Sequence, residues 1–63
     1  MGRLLTVEEV AEWLRIPVKT LYEMRYRRVG PPAFRVGRWL RYREEDVQAW
    51  LDQQRERDPA RAA

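Results

Sequence analysis

Apolar positions in this chain form three helical stripes and one segment that alternates with period two. Val7, Val10, Ala11 and Leu14 recur on one face and predict a first helix. Its start is marked by Thr6-Val7-Glu8-Glu9, a capping box with Thr6 as N-cap and Glu9 reaching back to its amide. Leu5 and Val10 stand where a hydrophobic staple places them, while Trp13 lies off the stripe and is expected to cover the edge of a small core. Leu14-Arg15-Ile16-Pro17 ends the helix, because Pro17 cannot continue it and biases Ile16 toward extended backbone. Pro17 is expected at the first position of the next helix, with no side-chain cap.

That second helix is predicted from about Val18 to Arg27 or Arg28, so two short helices meet through a tight turn, as in a helix-turn-helix. With Leu21 inward, Val18, Met24 and Arg25 share its side, and the Arg25 stem packs while its guanidinium escapes. Lys19, Glu23, Tyr26 and Arg27 face outward with Thr20 and Tyr22 on the flanks, a set that can bond to base edges and phosphates. A solvated face would also suit the charges, but two outward tyrosines favour contact with a partner. Gly30-Pro31-Pro32 stops the helix, and Ala33–Val36 and Leu40–Tyr42 then alternate as a β-hairpin. A two-residue loop at Gly37-Arg38 pairs Val36 with Trp39 and sets Arg41 beside Phe34. A three-residue loop pairs Val36 with Leu40 and Phe34 with Tyr42, and sends Arg35 and Arg41 outward together. If Phe34 faces the core, the second register keeps charge out of it and is the expected one. It leaves Arg38 and Trp39 at the tip, where Trp39 either folds back over Phe34 or the third helix, or contacts a partner. Arg43-Glu44-Glu45-Asp46 opens a third helix with apolar Val47, Trp50 and Leu51. The predicted fold is mainly α with a small β-hairpin wing, a winged helix-turn-helix over residues 1–54 with a flexible tail over 55–63.

Composition narrows the chemistry. The chain has 63 residues and lacks Cys, His and Ser. Disulfides, a zinc site, a Cys or His nucleophile and a serine triad are therefore excluded. Gly2, Gly30 and Gly37 are too scattered for a phosphate loop, and no apolar run approaches a membrane span. The N-terminus is too polar for a secretory signal. The expectation is a cytoplasmic binding module without catalytic residues, cofactor or metal. Charge then points to the partner. Residues 13–43 carry nine basic side chains against Glu23 alone, a net +8, while residues 1–12 sum to −2 and residues 44–63 to −3. Such a patch repels itself and fits a polyanion, with nucleic acid the expected one.

Leu4-Leu5-Thr6-Val7-Glu8-Glu9-Val10-Ala11, Leu14-Arg15-Ile16-Pro17, Thr20-Leu21-Tyr22, Pro32–Gly37 and Arg43–Leu51 together resemble the excisionase-type DNA-binding domain, a small winged helix-turn-helix related to the MerR-type domain. The resemblance covers residues 4–51. It implies that the second helix enters the major groove and the wing an adjacent minor groove, with Tyr22 near phosphate and Arg38 and Arg41 tracking the backbone. Arg35 and Trp39 join that wing set. Two departures stand out: Arg28-Val29 precedes Gly30 where a Gly often follows the recognition helix, and Trp39 replaces a basic wing-tip residue. The resemblance further implies an excisionase, or recombination directionality factor, from a phage or integrative element, acting in a bacterial host. Such a protein bends attachment-site DNA and directs an integrase toward excision, with copies touching head to tail. A small transcriptional regulator of the same fold is the nearest alternative, and a protein-binding adaptor or antirepressor a more distant one.

Overall fold

The computed structural model describes residues 2–57. Its elements run β1 (Leu4–Leu5), α1 (Val7–Leu14), α2 (Val18–Arg27), β2 (Phe34–Val36), β3 (Trp39–Arg43) and α3 (Glu44–Arg57). Three helices and a small antiparallel sheet make the winged helix-turn-helix that the periodicity predicts. The capping box closes as expected. Thr6 Oγ1 accepts from the Glu9 amide at 3.0 Å, and Glu9 Oε1 accepts from the Thr6 amide at 2.9 Å. That bond from the Thr6 backbone is the main reason the Glu9 carboxyl lies below its ordinary pKa. Leu5 and Val10 are both buried, as the staple requires.

Leu4–Leu5 also forms a strand that the sequence reading does not contain. Leu5 pairs with Tyr42 and Leu4 with Arg43, and the Arg3 carbonyl accepts from the Glu44 amide at 3.0 Å. The expected two-stranded ribbon is therefore part of a three-stranded sheet in the order β1-β3-β2. Two residues are too few to show any periodicity.

Both helices of the helix-turn-helix end in the same way. Ile16 donates to the Ala11 carbonyl and Arg15 to Glu12; Val29 donates to Met24 and Arg28 to Arg25. These are Schellman closures, and Arg15 (φ 60°) and Arg28 (φ 60°) hold the left-handed position usually given to glycine. A side chain there costs about 1–2 kcal/mol. Pro17 is the N-cap of α2 and not its first helical residue as expected: its ψ of 148° keeps it extended while its carbonyl accepts from Thr20 and Leu21.

The wing adopts the other register. Phe34 pairs with Arg41, Arg35 with Leu40 and Val36 with Trp39, so Gly37-Arg38 is a two-residue loop and Trp39 opens β3. Gly37 has φ 66° and Arg38 is not among the positive-φ residues, the φ pattern of a type II′ hairpin turn with Gly first. The expected register assumed that Phe34 faces the core. Instead Leu40 and Tyr42 face inward, while Phe34, Val36, Trp39 and Arg41 share the outer face and Arg35 lies on the opposite one. Arg35 and Arg41 are not outward together.

The core is small: Leu5, Val7, Val10, Ala11, Leu21, Tyr42 and Val47 are buried, with Leu14, Ile16, Val18, Met24, Ala33 and Leu40 packed against them. Trp13 remains partly exposed at its edge. Glu44, Glu45 and Asp46 fill the first turn of α3, and Arg43 bonds Glu45 at 2.8 Å. Trp50 Nε1 donates to the Val29 carbonyl at 3.1 Å and ties the segment after α2 to α3. α3 continues to Arg57, beyond position 54 where the sequence reading ends the domain, supported by Gln54 Nε2 donating to the Trp50 carbonyl. The rest of the expected tail, 58–63, lies outside the described residues. Among the described residues no helix is long and apolar enough to cross a membrane.

Two stability outcomes follow from the caps. Thr6→Ala should lower stability by about 1 kcal/mol, roughly 4–8 °C in melting temperature for a domain this small, read by circular dichroism. Glu9, through its backbone bond, and Glu45, through Arg43, both have depressed pKa values. Their stabilisation is present above the ordinary carboxylate range and lost as pH falls through the lowered folded values. Melting from pH 7 to pH 3 should show this loss, and Glu9→Gln should flatten it.

Candidate nucleic-acid interface

Leu21 anchors α2 by burying itself against the core, with Val18 and Met24 beside it. The helical period then turns Lys19, Glu23, Tyr26 and Arg27 to solvent, all of them exposed. Thr20 is half-buried on one flank. Tyr22 is 50% exposed and Tyr26 90%, so two aromatic rings stand on the outside of a domain whose core is short of apolar side chains. Glu23 lies one turn from both Lys19 and Arg27, yet neither pair closes: the ion pairs among the described residues are Arg3–Glu9, Arg43–Glu45 and Arg43–Asp46. Arg43 is thus the one basic residue between Arg15 and Arg43 that has a carboxylate partner among the described residues.

The wing gathers a second group. The Arg38 guanidinium lies 5.6 Å from the Trp39 ring centroid and that of Arg41 6.0 Å, within cation–π range. Arg41 is half-buried, with Nη1 donating to the Leu40 carbonyl at 2.7 Å. Trp39 is 59% exposed, pairs with Val36 and lies outside the core cluster. Arg38, Trp39 and Arg41 therefore come together, while exposed Arg35 lies on the other face of the hairpin. Phe34 and Val36 are exposed beside them, a pair the sequence reading assigns to the core; their alternation with Arg35 is visible in the sequence, but not which face is covered.

Two groups of different chemistry result. The α2 face offers donors from Lys19 and Arg27, an acceptor from Glu23, and hydroxyls from Thr20, Tyr22 and Tyr26, the functions that read groove edges and phosphates. The wing offers guanidinium groups around an aromatic plane, suited to a charged backbone and its sugars. A family model described as a helix-turn-helix domain matches residues 4–55 of the chain. No curated protein and no solved structure matches it.

The exposures separate wing from core in a melting experiment. Tyr42→Ala should cost about 3–5 kcal/mol, as for other buried aromatics, enough to unfold most of the population. Trp39→Ala should cost under about 1 kcal/mol, the size of an exposed cation–π contact. Equal losses would place Trp39 in the core.

Proposed function

The chain belongs to the helix-turn-helix domain family, and on that footing we propose that it is a non-catalytic, sequence-specific binder of double-stranded DNA. The observation that carries this reading is the run of basic side chains from Arg15 to Arg41, none of which has an ion-pair partner among the described residues. Left without a partner they repel one another; against phosphates they release condensed counterions. α2 enters the major groove with Lys19, Thr20, Glu23 and Arg27 toward base edges and Tyr22 and Tyr26 toward the backbone. The β2–β3 hairpin enters an adjacent minor groove. Because Arg35 and Arg41 lie on opposite faces, an inserted hairpin offers one arginine to each wall, with Arg38 and Trp39 leading.

The finer role we propose is that of an excisionase, which rests on the motif resemblance of residues 4–51. One module of this size covers about 600–1,000 Å² of its own surface on DNA. Firm binding then calls for several copies on adjacent sites, touching head to tail in an open array. Bending of attachment-site DNA and an integrase partner complete that role in a bacterial cytoplasm.

If four to six basic groups meet phosphate, log K against log salt should fall with a slope of about −4 to −5 per monomer. Fluorescence anisotropy on a mixed-sequence duplex measures it, and a slope near zero would remove DNA as the partner. Glu23→Ala should change the consensus recovered by binding-site selection, whereas Arg41→Ala should weaken all sites alike. An unchanged consensus for every α2 variant would transfer reading to another element.

A further inference from the structure

Behind the exposed face of α2 lies an open cleft of about 360 Å³, lined by Arg25, Arg28, Gly30, Pro31, Pro32 and Ala33. Two features of it go unused in the recognition scheme above. Arg28 closes α2 in the left-handed conformation, φ 60° and ψ 39°, where glycine would carry no steric penalty. Arg25 is half-buried, and its Nε is buried without a hydrogen-bond partner among the described residues. Neither arginine has a carboxylate partner among the described residues. The cleft wall is stiff: two prolines form it, and at Gly30 a Cβ would stand 3.1 Å from the Met24 Cβ, so the backbone runs close against α2.

A strained backbone and an orphaned buried donor in one cleft both work against folding stability, and such features persist where a ligand repays them. We propose that Arg25 and Arg28 form a phosphate clamp that holds one backbone phosphate of the bound duplex beside the C-terminal end of α2. The clamp rests on the DNA-binding reading and adds an anchor to it. Guanidinium groups suit this task, because their fork of donors matches phosphate oxygens. Fixed at the end of the recognition helix, the clamp sets how far α2 slides along the groove, and so the register in which Lys19, Glu23 and Arg27 meet the bases.

The test uses the whole chain with Arg28→Gly, Arg25→Met and the double variant. Arg28→Gly removes charge and relieves the left-handed strain; Arg25→Met keeps the packed stem and deletes the orphaned donor. Neither variant should melt below the wild type, yet each should bind a mixed-sequence duplex about three- to tenfold more weakly. The double variant should lose less than the product of the two single losses, and its salt slope should be shallower by about 0.9, one phosphate's worth. Inorganic phosphate at constant ionic strength should leave the wild-type melting temperature unchanged. Wild-type binding with unaltered affinity in the variants overturns the clamp alone, whereas a wild-type slope near zero overturns the DNA reading beneath it. A double loss equal to the product, with the slope shallower by about 1.8, assigns two separate phosphates and also overturns it. So does a large melting loss in Arg28→Gly, or a phosphate-induced rise in melting temperature that Arg28→Gly abolishes.

Discussion

Tyr42 is 1% exposed and sits in the central strand of the sheet opposite Leu5, and its burial joins elements that are distant in sequence. On one side β3 pairs with β1, whose Leu5 also staples the start of α1; on the other it carries β2 and hence the wing. α3 begins one residue after β3 ends, with the Glu44 amide bonded to the Arg3 carbonyl. Full burial of one large apolar side chain contributes about 2–3 kcal/mol, a large share of the stability of a domain whose core cluster holds seven buried residues. The same contact fixes geometry: α1 packs against both α2 and β3, so the angle between recognition helix and wing depends on how α1 and β3 share Leu5 and Tyr42.

Charge is sorted by the same scaffold. Glu8 and Glu9 of α1 and Glu44, Glu45 and Asp46 of α3 stand in first turns, where the helix dipole favours them, and Glu9, Glu45 and Asp46 take the ion pairs among the described residues with Arg3 and Arg43. Such exposed pairs contribute little energy. They engage acids near the two chain ends, while α2, where Glu23 is the one carboxylate, and the wing keep their arginines and Lys19 outside the ion pairs among the described residues. Left-handed Arg15 and Arg28 extend the pattern to the helix ends, positions where stability alone favours glycine.

The wing shows how a short strand can be apolar and still exposed. β2 is an edge strand that packs chiefly on β3, and all three of its residues are exposed. Phe34, Val36 and Trp39 thus form an outer apolar face beside two guanidinium groups. An unpaired edge next to such a face invites association, and the flanking arginines of this hairpin oppose it by charge.

Local signals in the sequence carry the helices. The capping box acts over three residues, Pro17 acts on its immediate neighbour, and the stripe from Val7 to Leu14 repeats within a single helix, so the limits of α1 and α2 and the turn between them follow from neighbouring residues. The nine basic residues in 13–43 are equally visible, because charge is additive along a chain. The wing register, the strand at Leu4–Leu5 and the exposure of Phe34, Val36 and Trp39 are not. Alternation shows which residues share a face of a strand, but which face is covered depends on what packs there. Here that is α1 and α3, brought to β3 from both ends of the chain. The cleft between Arg25 and Arg28 is hidden for the same reason: its walls come from the end of α2 and the Gly30–Ala33 turn, and only their packing makes them one site.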